Sequence, residues 1–161
     1  MKSIRKIAEE SFNTENWEMS RFKEDIKSQI GDRGDRDTFI DELCEGFERN
    51  EVMVLKNEWH RGMGKTWFIS HVAKEYGIPI ITNTRVEARE IISVMEYAYQ
   101  KPYEETIGTY EELKNKIDDS KYVLLNEIPI KNKYILDELK ERKITPLGFM
   151  YDSNSKYEFI K

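Results

Sequence analysis

The 161-residue sequence predicts an α/β fold with a mostly parallel sheet of about four to five strands. Two features of the hydrophobic pattern lead to this prediction. The apolar runs VMVL (52–55), IPIIT (78–82) and YVLLNEIPI (122–130) are short and continuous, which is typical of strands covered on both faces. Stretches of roughly ten to fifteen residues with helical spacing lie between such runs, as in βαβ units.

The N-terminal region is predicted to be helical. Residues 1–30 mix apolar side chains with charges of both signs, and their spacing predicts one or two short helices. The stretch GDRGDRD (31–37) places its glycines among alternating charges, which favours a loop. We therefore expect an N-terminal helical extension and loop over residues 1–36 and an α/β domain over residues 37–161.

The elements of the α/β domain follow from spacing and capping signals. Asp37 can cap a first helix that ends near Asn50. The pattern then predicts a strand at 52–55, a helix at 65–76, a strand at 78–82 and a helix at 86–99. Thr109 and Glu112 have capping-box spacing, which predicts a short helix. The remaining elements are a strand at 122–130, a helix at 132–143 and a weaker strand at 145–152.

Composition narrows the class of protein. The net charge is −5, so the whole molecule has no basic field to coat nucleic acid non-specifically. Cys44 is the single cysteine, which excludes an internal disulfide and a cysteine metal cluster. The N-terminus lacks an apolar signal core, and no run approaches the roughly 20 apolar residues of a membrane span. These features predict a cytoplasmic protein without membrane contact.

The segment WHRGMGKTW (59–67) joins the first predicted strand to the next helix. A phosphate-binding loop needs glycines that let the backbone wrap an anion and amides at a helix N-terminus that point at its oxygens. It also needs a lysine for the β and γ phosphates and a hydroxyl for magnesium. A glycine-rich connection that carries a lysine by chance is the alternative. The residues assigned to phosphate binding are Arg61, Gly62, Met63, Gly64, Lys65 and Thr66.

This segment resembles the Walker A motif of P-loop NTPases. Trp59 stands where the first glycine of that motif is usual, five positions before Gly64. Large terminase subunits of viral DNA-packaging motors commonly replace that glycine and carry an arginine shortly before the GKT, much like Arg61 here. The resemblance implies a three-layer P-loop NTPase-like fold, with Mg²⁺ and ATP or GTP as its ligands.

A second resemblance lies in the run VLLNE (123–127), which is similar to a Walker B motif of the additional-strand, catalytic-glutamate type. By that resemblance Glu127 is the catalytic base that polarises the attacking water. Asn126 occupies the position of the first acidic residue of that motif, but it brings no negative charge. It would contact magnesium through a water molecule, and the Thr66 hydroxyl would act on the same ion. The alternative is a buried strand whose last polar residues merely meet solvent.

Four further residues are candidates for the same site. Thr84 and Arg85 follow the second strand in a threonine-and-arginine turn similar to one that contacts nucleic acid in helicases and terminases. A capped helix with exposed arginines is the favoured alternative. Asn154 is a candidate sensor of the γ-phosphate, and Arg142 a candidate sensor or arginine finger. A solvated helix face is the alternative for Arg142.

These patterns together predict a P-loop protein that binds a nucleotide and has weak ATPase activity. ATP is the expected nucleotide. Phage or mobile-element DNA metabolism is the expected setting, in a bacterial cell or a phage-infected host. Expected partners are a nucleoside triphosphate, nucleic acid or a DNA-processing complex, and a second copy of the chain. Two alternatives stay open: a hydrolysis-deficient regulator or protein-interaction module, and a small metabolite or nucleotide kinase.

Overall fold

The computed structural model describes residues 1–19, 36–55, 64–152 and 158–160. Its helices are α1 (Ile4–Ser11), α2 (Thr14–Met19), α3 (Arg36–Glu48), α4 (Lys65–Tyr76), α5 (Arg85–Tyr99), α6 (Tyr110–Leu113) and α7 (Tyr134–Glu141). Its strands are β1 (Val52–Leu55), β2 (Ile80–Thr82), β3 (Ile107–Thr109), β4 (Tyr122–Pro129), β5 (Thr145–Tyr151) and β6 (Glu158–Ile160). A 3₁₀ turn, Ile130–Asn132, links β4 to α7.

The strands form one six-stranded sheet in the order β3-β2-β4-β5-β1-β6. Neighbours from β3 through to β1 are parallel, and β6 pairs antiparallel with β1 at the edge. The α/β prediction with a mostly parallel sheet is therefore confirmed. The sequence pattern missed β3 and β6 because IGT and EFI do not belong to a continuous apolar run like IPIIT, which indicated β2.

Helices cover both faces of the sheet, which is compatible with a three-layer arrangement. Alternate residues of β1 enter two separate hydrophobic clusters: Met53 lies in one and Val54 in the other. The first cluster contains side chains of α1, α3, α4 and α5, and the second contains side chains of α6 and α7. Burial on both faces explains why β1 appears in the sequence as a continuous apolar run.

The N-terminal helices pack into the first of these clusters. Phe12 contacts Phe39 of α3 at a ring-centroid distance of 5.1 Å and Phe68 of α4 at 5.4 Å. The Arg36 guanidinium donates hydrogen bonds to the backbone carbonyls of Glu9, at 2.9 Å, and of Phe12. These bonds satisfy carbonyls that the end of α1 leaves without helical partners. The C-terminal end of α1 is thereby held beside the start of α3.

No helix in the described ranges is both long and apolar enough to cross a membrane. The longest, α5, has 15 residues and buries only Ala88, Ile91 and Met95 along one stripe. Such a pattern is typical of a helix that packs on a sheet and exposes its other face to water.

Candidate functional site

A cleft of about 820 Å³ opens beside the carboxyl end of β2 and the Asn126–Glu127 part of β4. The start of α4, the first turns of α5 and the C-terminal end of α1 form its walls. In open α/β sheets ligands bind at this edge, and a volume of roughly 300–1,000 Å³ suits a small molecule. The position and volume of the cleft therefore make it the candidate ligand-binding site.

Lys65 lies at the floor of the cleft as the first residue of α4. Gly64 precedes it as the N-cap with a φ of 112°, a left-handed conformation that glycine adopts without steric cost. The Lys65 side chain is only 3% exposed, and its Nζ donates a hydrogen bond to Oε1 of Glu127 on β4. The structure thus brings the predicted phosphate-binding lysine and the predicted catalytic glutamate into one ion pair.

Glu127 lies within β4 and not at its end. Strand β4 continues to Pro129, and its pairing with β5 shifts register between Leu125 and Ile128. Glu127 has a φ of 54° at this bulge, which is uncommon for a residue with a side chain. A bulge turns a side chain out of the regular pleat, and such bulges occur often beside active sites. The irregularity directs Glu127 toward Lys65.

Gly148 is the residue from which this bulge could have been predicted. It lies inside β5 opposite Leu125, with a φ of 107°. A Cβ placed on Gly148 would lie 2.4 Å from the carbonyl oxygen of Leu125, so only glycine lets the two backbones approach. An isolated glycine within a strand pattern indicates a bulge or a close backbone contact.

Asn126 is almost fully buried at the cleft, with 1% of its surface exposed. Its backbone pairs with Thr82 at the end of β2. Among the described residues no group donates a hydrogen bond to its side-chain oxygen Oδ1. A buried acceptor without a donor costs roughly 1–3 kcal/mol, so this atom is suited to a ligand or to ligand-bound water.

Glu87 is a cleft residue that the sequence reasoning missed. It lies in the first turn of α5, where its backbone N–H donates to the side-chain oxygen of the N-cap residue Thr84. Burial raises the pKa of Glu87 to about 7; the backbone of Asn83, the Lys65 charge and the Asn126 side chain oppose this shift. Its Oε1 is buried and has no hydrogen-bond partner within the described parts of the chain. The only sequence signal was an acidic residue one turn after a strand end, which is also an ordinary helix N-terminus.

The raised pKa of Glu87 predicts a pH-dependent stability. A folded-state pKa of about 7 against 4.5 for the free side chain means that the folded protein holds this proton more tightly. The free energy of unfolding should therefore fall as pH rises from 4.5 to 7 and then level off. Urea unfolding of the parent and of Glu87→Gln across this range isolates the contribution, since other titrating groups cancel in the difference. A constant difference between the two proteins would contradict the prediction.

The end of α1 forms the opposite wall of the cleft, a role that the sequence did not reveal. Ser11 is 1% exposed, and its Oγ lacks a hydrogen-bond partner among the described residues. A Cβ on Gly64 would lie 2.0 Å from the Ser11 carbonyl oxygen, so the backbone of α1 rests directly on the glycine before Lys65. Glu10 lines the same wall and forms an ion pair with Lys2 at 2.8 Å.

The other predicted site residues have different surroundings. Thr66 is exposed and lines the cleft near Lys65. Thr84 also lines it, but its hydroxyl caps α5, and Arg85 forms an exposed ion pair with Glu112 at 3.3 Å. The capped-helix alternative describes both residues. Arg61, Gly62, Met63 and Asn154 lie outside the described residues.

Arg142 is not brought to the cleft. Its guanidinium donates to the Asp118 carboxylate, to the Lys114 carbonyl and, at 3.3 Å, to the Tyr110 hydroxyl. Asp118 and Tyr110 raise the pKa of Arg142, so the side chain is firmly charged and held in place. The geometry gives no support for Arg142 acting on a nucleotide in the cleft of its own chain.

A divalent ion would need ligands beyond the protein itself. The described part of the chain contains no group of three or more His, Cys, Asp or Glu side chains that could hold a metal. Magnesium commonly takes one or two carboxylates and fills its remaining positions with phosphate oxygens and water. Thr66, Asn126 and the neighbouring carboxylates fit that mode, because the buried Oδ1 of Asn126 lacks a donor that a metal-bound water would supply.

No family model, curated protein or solved structure matches this chain. The likeness to P-loop NTPases therefore depends on the residues of the two motifs and on where the fold places them.

Proposed function

We propose that the chain binds a nucleoside triphosphate with Mg²⁺, ATP in the first place, and hydrolyses it slowly. The carrying observation is the contact between Lys65 and Glu127. These side chains lie 62 positions apart in the sequence, on different elements, and meet in a cleft at the carboxyl edge of a parallel sheet. A lysine that occurs by chance in a glycine turn is expected to stay exposed to solvent, because burying a charged group is costly unless it has a functional or structural partner.

The strand order supports the additional-strand type of P-loop protein. Strand β1, which leads toward the lysine turn, does not neighbour β4, which carries Glu127, because β5 lies between them. An inserted strand of this kind separates the strand that carries the glutamate from the strand that leads toward the lysine turn.

The ion pair indicates how this site would work. When phosphate oxygens enter, the Lys65 ammonium can exchange the Glu127 carboxylate for them, because a triphosphate carries more negative charge. Glu127 is then free to accept a hydrogen bond from the attacking water and to take its proton. Backbone N–H groups at the start of α4 would hold the phosphates, aided by the helix dipole. Magnesium would offset the phosphate charge, and Thr66 and Asn126, which line the cleft, would help to hold it.

Lys65→Ala tests this proposal. We expect triphosphate affinity to fall by about ten- to hundredfold, because a hydrogen bond to a charged group contributes roughly 1.5–3 kcal/mol. Calorimetric titration of Mg-ATP, Mg-GTP and a non-hydrolysable analogue measures this affinity. Lys74→Ala is the matched control, since Lys74 lies on the same helix with a side chain that is 40% exposed.

Two outcomes would contradict the phosphate site. Equal affinity in the parent and in Lys65→Ala would mean that the lysine does not contact the ligand. No binding by the parent at millimolar nucleotide would mean that the cleft serves another ligand. Circular dichroism of each variant separates lost binding from lost folding.

One observation favours the kinase alternative. A small kinase needs an acidic residue near the end of its second strand, and Glu87 occupies such a place beside Lys65. ADP release that requires a small phosphate acceptor would support a kinase, whereas release in buffer alone supports a hydrolase. The proposed link to DNA metabolism is tested by the same assay with and without DNA.

A further inference from the structure

The charge of the cleft is unfavourable for a bare triphosphate. Its described lining contains four carboxylates, those of Glu10, Glu87, Glu90 and Glu127, and a single lysine, Lys65. That lysine is already paired with Glu127. Like charges at short range repel strongly where water is partly excluded. A cation that enters together with the nucleotide would reduce this repulsion.

Two buried acceptors in the cleft are suited to that cation. Oδ1 of Asn126 and Oε1 of Glu87 are both shielded from solvent, and neither receives a hydrogen bond from any described residue. Asn126 is 1% exposed, so its oxygen has little access to bulk solvent. Both atoms accept hydrogen bonds and cannot donate them when Glu87 is ionised. Water molecules bound to a divalent cation present the donors that such a pair lacks.

The fold explains why these two residues are neighbours. Strands β2 and β4 are adjacent, and Thr82 at the end of β2 pairs with Asn126. The chain turns after Thr82 and starts α5, and Glu87 comes one turn into that helix. Both side chains line the same cleft, and hydrogen bonding with Asn126 is among the effects that oppose the rise in the Glu87 pKa caused by burial.

We propose that Glu87, in the first turn of α5, supplies a carboxylate to the part of the cleft where β4 has the neutral residue Asn126. The two side chains together hold the water shell of the divalent cation that accompanies the nucleotide. In this arrangement the acidic group lies on the element that follows β2, and it lines the same cleft as Asn126. This inference rests on the proposed nucleotide-binding function. It assigns Glu87 a positioning role toward the cation, distinct from the role of Glu127 toward water.

The raised pKa of Glu87 is consistent with this role. Burial is the main cause of the shift, and the nearby charge of Glu90 adds to it. The positive charge of Lys65 opposes the shift without cancelling it. A carboxylate in this condition gains more from a nearby cation than a solvated one, because its charge is poorly compensated.

The test compares nucleotide affinity with and without metal. A non-hydrolysable ATP analogue is titrated into the parent and each variant, once in excess Mg²⁺ and once in EDTA. The ratio of the two dissociation constants measures the metal-dependent gain, which is independent of turnover. Glu87→Gln keeps the size of the side chain and removes its charge. We expect the gain to fall by about tenfold or more, the usual effect of losing an outer-shell ligand.

Two further variants make the result specific. Glu90→Gln removes a carboxylate from the same helix and the same cleft wall but leaves both buried acceptors in place, so it should lower the metal-dependent gain by less than Glu87→Gln does. Asn126→Asp added to Glu87→Gln returns a carboxylate to β4 and should restore the gain. Recovery in this double variant also shows that Glu87→Gln had not failed simply by disturbing the fold.

Each remaining outcome overturns the inference in a distinguishable way. An unchanged gain in Glu87→Gln, with nucleotide still bound, overturns the cation role alone. If that variant also loses turnover, Glu87 acts on a phosphate acceptor instead, as the kinase alternative requires. Equal losses in Glu87→Gln and Glu90→Gln would show a general charge effect. Failure of the parent to bind nucleotide in either condition overturns the proposed function, and this inference falls with it.

Discussion

Glu127→Gln is expected to lower the rate of ATP hydrolysis by about 100-fold or more, which is the usual contribution of a positioned general base. Nucleotide affinity should rise at the same time. Glu127 accepts a hydrogen bond from the buried Lys65 ammonium, so incoming phosphates must displace it. A neutral glutamine competes less strongly for that lysine. The predicted pattern is therefore slower turnover together with tighter binding.

Steady-state phosphate release and calorimetric titration measure these two effects separately. Glu111→Gln is the control, because the Glu111 side chain is 64% exposed and pairs with Lys114 away from the cleft. It should match the parent within about twofold, as surface ion pairs contribute little. A parental rate in Glu127→Gln would remove the catalytic role. Joint loss of rate and affinity would show that Glu127 mainly holds Lys65 in place.

Most of the fold could be predicted because its central strands are buried on both faces. β1, β4 and β5 begin where the apolar runs begin, and β2 lies within its predicted range. The helices that pack on the sheet also show clear spacing, and α4 begins and ends at its predicted residues. Capping chemistry was equally informative, since Thr109 and Glu112 form the expected reciprocal hydrogen bonds.

The candidate site was predictable only where a local motif carries the chemistry. Gly64, Lys65 and Glu127 appear in short patterns whose spacing has a physical meaning. Glu87 and Ser11 belong to no motif, and they reach the cleft because of how β2 and α1 pack. A charged residue in the first turn of a helix is most often solvated, so its sequence surroundings cannot distinguish the two cases. Tertiary packing alone places these side chains.

Gly64→Ala is expected to destabilise the protein and to abolish nucleotide binding. Gly64 has a φ of 112°, a conformation in which a side chain costs roughly 1–3 kcal/mol. The added Cβ would also lie 2.0 Å from the Ser11 carbonyl oxygen, so the end of α1 must move. Overpacking of this kind costs a further 1–3 kcal/mol or so. Because the clash lies directly before Lys65, its relief disturbs the start of α4, where the phosphates are proposed to bind.

Gly77→Ala separates the two contributions. Gly77 follows the other end of α4 with a φ of 64°, but a Cβ there would meet nothing within 4 Å. Urea unfolding should therefore show a loss of only about 1 kcal/mol for Gly77→Ala, with nucleotide affinity unchanged. The excess loss in Gly64→Ala measures the contact between α1 and the lysine turn. Equal losses in the two variants would mean that α1 does not rest on Gly64 in solution, and that the N-terminal wall of the cleft is not closed as the structure shows.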